Sequence, residues 1–175
     1  MDALSLLKQQ HREADALFAK LEKAGLDDKE DIFDTLADKL AIHTAIEEKH
    51  FYPTSLAAEP EAEELLREAV EEHLGMKRII ADLLETDAAD PEFDAKVEVL
   101  KEQVQHHVEE EEHEIFPKVK KALGASKLAA LGQVMEEMCV ALEGTEPRND
   151  IPRQTIAAAP VEPEKRVSKS GRRAA

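Results

Sequence analysis

The chain has no Trp, one Tyr, one Cys and six Gly among 175 residues, and aromatic residues make up only 3% of it. One cysteine, Cys139, excludes an internal disulfide framework and any all-cysteine metal site. No apolar run approaches the roughly 18 residues of a membrane span, and Met1-Asp2-Ala3-Leu4 lacks the basic-then-apolar order of a secretory signal. A cytoplasmic protein is expected. Basic residues are also in the minority, 23 Lys+Arg against 39 Asp+Glu, for a formal charge of −16. That balance argues against nucleic acid as a partner, since phosphate binding needs a basic footprint.

What remains is rich in Glu, Lys, Ala and Leu, the profile of a helical protein, together with seven His. Apolar residues recur at steps of three and four through most of the chain, as amphipathic helices require. A first helix is expected from about Ala3 to Ala24, with the stripe Leu4, Leu7, His11, Ala14, Phe18, Leu21. A second runs from about Lys29 to Tyr52 and stops at Pro53. A third follows Pro60 and carries Leu66, Ala69, His73, Met76, Ile80 and Leu83. A fourth opens on Asp90 as N-cap and Pro91 and reaches Pro117. Short connections set these four antiparallel, up-down-up-down.

A further helix is expected from about Ser126 to Glu143, with Met135 and Met138 packing on the bundle or on a second copy of the chain, which makes this helix the candidate for homo-oligomer contact. Cys139 on the same helix reads as a buried, inert thiol. Residues 1–144 thus form one bundle domain. From 145 to 175 the chain holds four of the eight prolines, no aromatic residue, and seven basic against four acidic residues. That segment reads as a disordered tail, and its basic end, Lys165-Arg166 through Arg172-Arg173, is too sparse for a nucleic-acid arm.

The apolar stripes are interrupted by one kind of residue. His11, His43 with Glu47, His73, and His107 with Glu111 sit where Leu or Val would be expected, and burying them uncompensated would cost several kcal/mol. Their positions along antiparallel helices place all six in one layer. The two halves also repeat: residues 43–53 align without a gap on residues 107–117, Pro53 on Pro117, and the preceding His lies 32 residues upstream in the first half and 34 in the second. Residues i and i+4 share a helix face, so each His-x-x-x-Glu can offer an imidazole and a carboxylate to one metal. Two His with one or two carboxylates per ion suit iron, manganese or zinc, and two ions can share the carboxylates.

His50 reads as a solvated helix-end residue, and His106 and His113 point away from the seam. Glu48, Glu109, Glu110, Glu112 and Glu114 read as a solvated acidic face. A ferritin-like di-iron site, which uses Glu-x-x-His on two helices, is a weaker match: Glu47-x-x-His50 and Glu110-x-x-His113 are out of register in the repeat, and the other two helices offer His where Glu is needed.

The order His, His-x-x-x-Glu, His, His-x-x-x-Glu over about residues 3–120 resembles the hemerythrin-like, or HHE cation-binding, family. The resemblance implies a non-haem centre of two iron ions in an all-α four-helix bundle, with His11, His43, His73 and His107 as terminal ligands and Glu47 and Glu111 as bridges. Zinc or manganese in the same cage suits the same ligand types. One departure stands out. Oxygen-carrying hemerythrins of invertebrates have His-x-x-x-His on the third helix, where this chain has His73-Leu-Gly-Met-Lys77, and a terminal His-x-x-x-x-Asp where it has His107-x-x-x-Glu111. With one His fewer, the resemblance implies reaction with O2, peroxide or nitric oxide at least as readily as reversible oxygen carriage. The alternative is a non-enzymatic module for iron or oxygen sensing or metal storage.

Overall fold

A computed structural model describes residues 1–164, and these are almost entirely helical, with no strand among the described residues. Helix α1 (Ala3–Leu21) is capped by Asp2, whose carboxylate accepts from the Ser5 backbone N–H at 3.1 Å, satisfying one of the donors a helix start leaves free. Helix α2 (Leu26–Ile46) follows a short turn and packs on α1. Helix α4 (Glu63–Leu84) and helix α5 (Pro91–Glu110) form the second pair, with Asp90 capping α5 as its sequence suggests. His11 lies in the first half of α1 and His43 near the end of α2, yet their rings are 4.9 Å apart. The pair is therefore antiparallel.

Helices two and four do not stop at proline. Each passes through a π turn, Glu47–Phe51 and Glu111–Ile115, and continues as α3 (Tyr52–Ala58) and α6 (Phe116–Leu142). In these turns the Tyr52 and Phe116 N–H groups reach back five residues, to the carbonyls of Glu47 and Glu111. Pro53 and Pro117 then fall in the first turn of the following segment, where a missing N–H costs little. Both π turns open on the repeated Glu; such bulges cluster at functional sites. The helix expected from Ser126 is present as the distal part of α6, set apart by a break at Gly124, where φ is 69°, a conformation that favours glycine. Gly132 on that distal part lies so close to the start of the chain that a Cβ would sit 2.3 Å from the Met1 carbonyl oxygen. Met135 is fully buried against the bundle.

The expected disorder from residue 145 onward does not hold over 145–164. A 3₁₀ helix (Pro147–Gln154) packs on α2 and α4. Arg148 pairs with Asp34 at 2.9 Å and with Asp38, Ile151 and Val161 are buried, and the Glu164 N–H donates to the Pro53 carbonyl at 3.1 Å. Two apolar anchors and one arginine suffice to hold a segment whose average composition is polar. The remainder of the tail, with its Arg-rich end, lies outside the described residues.

The core is divided. One apolar cluster gathers Leu7, Ile46, Phe51, Leu66, Phe116 and Val119, and another gathers Phe18, Leu36, Ile80, Leu83, Phe93 and Leu100. Between them lies a buried polar layer.

Candidate metal centre

That layer is the six residues singled out by the sequence: His11, His43, Glu47, His73, His107 and Glu111, all at most 6% exposed. The Glu47 Oε2 stands 3.2 Å from His43 Nε2 and 3.3 Å from His73 Nε2. The Glu111 Oε2 stands 3.4 Å from His11 Nε2 and 3.7 Å from His107 Nε2. The donors fall into two groups, each compact enough to surround one cation: His11, His43, Glu47 and Glu111, and Glu47, His73 and His107. Glu47 belongs to both.

Every ring is held from behind. Nδ1 of His11 meets Glu112 at 2.9 Å, that of His43 meets the Gln10 side-chain oxygen at 2.9 Å, that of His73 meets Glu48 at 3.0 Å, and that of His107 meets Glu72 at 2.7 Å. An acceptor at Nδ1 fixes the proton there and leaves the Nε2 lone pair facing inward, the usual arrangement behind a metal-bound imidazole. Glu48 and Glu112 are thus not a solvated face. Glu48 is also gripped by the buried Lys77, whose Nζ donates to both its oxygens at 2.7 and 2.8 Å, and Glu112 pairs with Lys8 at 2.9 Å. The outer partners follow the internal repeat: Glu48 aligns with Glu112, and Gln10 with Glu72. Gln10 spends its amide N–H on the Cys139 thiol at 3.4 Å, and burial raises the pKa of that half-buried thiol.

The inward atoms lack partners. His11 Nε2, His43 Nε2, both oxygens of Glu47 and Glu111 Oε2 are buried with no hydrogen bond. His73 Nε2 and His107 Nε2 face each other at 3.2 Å, two lone pairs that repel unless a proton or a cation lies between them. A polar layer this well ordered outside and this unsatisfied inside fits a cation site. The electrostatics agree. Burial and the His11 ring press the His43 pKa well down, and burial takes His73 to about 4, so both are neutral and free to ligate. Burial opposes the proton on His107 too, but Glu111 and Glu72 outweigh it and raise its pKa. Burial and the neighbouring Glu111 hold the Glu47 carboxyl well above its usual range. Burial works against ionisation of Glu111 as well, yet His107, His11 and His43 overcome it and push its carboxyl far down. Of the two carboxyls, Glu47 thus favours its proton and Glu111 its charge, and bound cations would displace the proton on Glu47.

Residues 2–119 match the family model of the hemerythrin HHE cation binding domain. The chain belongs to that family. A crystal structure of a hemerythrin HHE cation binding domain-containing protein from Mycobacterium kansasii superposes on this HHE domain protein with a TM-score of 0.72 at 27% identity, covering 83% of this chain and 89% of that one. No curated protein matches it.

Sequence reasoning missed one residue at the centre of the HHE site. The buried Tyr52 hydroxyl donates to Glu111 Oε1 at 3.0 Å and lies 3.3 Å from His73 Nε2. Its position opposite Phe116 in the repeat was the available signal. His50 is half-buried, and neither it nor His113 joins any cluster; His113 Nδ1 instead meets the Glu109 carbonyl at 2.8 Å. His106, with a side chain 63% exposed, sits outside the layer with Glu72 and Glu110. No helix among the described residues is long and apolar enough to cross a membrane.

Proposed function

We propose that this HHE domain is a non-haem di-iron protein that binds or reacts with dioxygen, peroxide or nitric oxide. His11, His43, His73 and His107 would be terminal ligands, with Glu47 and Glu111 between the ions. The observation that carries the reading is the set of imidazoles whose Nδ1 atoms are all pinned outward while their Nε2 atoms converge on three carboxylate oxygens without hydrogen bonds, both of Glu47 and Oε2 of Glu111. Such a pair of ions would supply one-electron redox chemistry toward a small ligand.

The protein's own part is selection and exclusion. Beside His11, His43 and His107 lies a cavity of about 20 Å³, walled by Ala14, Leu40, Met76, Val104 and Val108. One water needs about 10–15 Å³ measured this way, so a diatomic molecule or peroxide fits and a larger organic substrate does not. The apolar wall keeps bulk water from the imidazoles; Gln10, Thr44 and Lys39, the last with a 38% exposed side chain, are the other polar residues that line the cavity. Glu48, Glu72, Glu112 and Gln10 hold the rings in one tautomer throughout.

The test is anaerobic loading with Fe(II) followed by rapid mixing with O2, hydrogen peroxide or nitric oxide. New near-ultraviolet or visible charge-transfer bands with at least one of them are expected. Bound iron that responds to none would refute the reactive centre and favour the storage or sensing alternative.

A further inference from the structure

We infer that Tyr52 makes the two ion positions unequal, holding one oxygen of Glu111 out of the centre so that the His73/His107 position has fewer protein donors and is the one open to an incoming ligand. The inference rests on the di-metal reading above and concerns a positioning residue within it.

The internal repeat makes the two halves near equivalents. Each supplies a seam His, a His-x-x-x-Glu pair, an acceptor behind each ring, and a π turn that begins at the Glu. The aromatic residue that follows each π turn also sits beside the seam His of one half: the Tyr52 ring is 5.6 Å from His73 and the Phe116 ring 5.9 Å from His11. Here the equivalence breaks, because only Tyr52 carries a hydroxyl.

The consequence is visible in the free atoms. Glu47, whose counterpart donor is absent, keeps both oxygens without partners, whereas Glu111 keeps only Oε2, since Oε1 accepts from Tyr52. Accordingly Glu47 belongs to both donor groups and Glu111 only to that of His11 and His43. One position is offered four side-chain donors and the other three. Fewer protein donors leave more of a cation's coordination to exogenous ligands, as catalytic metal sites do relative to structural ones. The Tyr52 hydroxyl also stands 3.3 Å from His73 Nε2, so it borders the three-donor position while its proton goes to Glu111. Tyr52 is fully buried among Phe51 and its neighbours, so its hydroxyl has little freedom to turn elsewhere.

The experiment is anaerobic titration of the metal-free full-length protein with Co(II), followed by calorimetry and by the visible d–d bands, in wild type, Y52F and F116Y. Wild type should take up two equivalents in steps separated by about tenfold or more, the scale on which hydrogen bonds to ligands alter metal affinity. In Y52F, freed Oε1 should tighten the second step by about tenfold and bring its spectrum toward that of the first. F116Y, which places a hydroxyl beside His11, should close the gap from the other side by weakening the first step. Two steps with wild-type constants and spectra in both variants would overturn the proposal. So would a phenolate-to-iron charge-transfer band in the Fe(III) protein that Y52F abolishes, because Tyr52 would then be a ligand. Failure of wild type to take up any cobalt would instead remove the metal-centre reading itself.

Discussion

Stripping the metal from this bundle should cost much of its stability. Five buried side-chain atoms at the centre have no hydrogen-bond partner: His11 Nε2, His43 Nε2, two on Glu47 and one on Glu111. Each unmet buried group costs about 1–3 kcal/mol. The full penalty would rival the roughly 5–15 kcal/mol that holds a typical domain together. Proton uptake by Glu47 and entry of water into the layer offset part of it, leaving a loss of about 5 kcal/mol. At about 2–4 °C per kcal/mol for a chain of this size, the melting temperature should fall by roughly 10–20 °C. Because the polar layer separates two apolar clusters, the loss should be felt first around residues 40–50 and 104–115, as faster amide exchange there. Far-ultraviolet circular dichroism on chelated and reloaded protein measures the shift. Melting temperatures equal within about 2 °C would show that the layer satisfies itself without a cation and refute the reasoning.

Further outcomes concern the shells around the centre. E112A removes the acceptor behind His11 without stranding a buried lysine, since Lys8 is exposed; metal affinity should drop about 10–100-fold in a competition titration, with the metal-free protein melting as before. A14L fills the small cavity that reaches His107 as well as His11 and His43; iron content should hold while reaction with O2 or nitric oxide slows at least about tenfold in stopped flow, at a packing cost of about 1–3 kcal/mol. I151A empties the anchor of the C-terminal segment and should cost about 2 kcal/mol, the low end for such truncations, seen as a thermal shift with iron content unchanged.

The ligand layer was legible because polar residues interrupted apolar stripes at matching heights on antiparallel helices, and because the interruptions recurred in both halves. Its outer shell was not. Glu48 and Glu112 sit one residue past the bridging carboxylates, where a helical wheel places them at the edge of the solvent face; their partners, His73 and His11, lie on other helices 25 and 101 residues away. Only the alignment of the two halves carried a trace of them, as it did of Tyr52 against Phe116. The π turns were hidden for a different reason. Proline after a long helix reads as a stop, and nothing local announces that a turn of i+5 bonds lets the helix carry on. The segment after Gly144 misled through its average: polar and proline-rich, it still holds Arg148 and Ile151, and those contacts depend on Asp34, Asp38 and a groove between α2 and α4 that no local window contains.

If one buried layer holds two iron ions through six side chains, Glu47 is common to both, and iron content should show it. Elemental analysis of iron-reconstituted protein tests it most directly, in wild type, E47A and H106A. Two irons per chain are expected in wild type, fewer than one in E47A, because that carboxylate serves both donor groups, and two in H106A, whose imidazole lies outside the layer. Less than one iron in wild type, or equal losses in E47A and H106A, would contradict it.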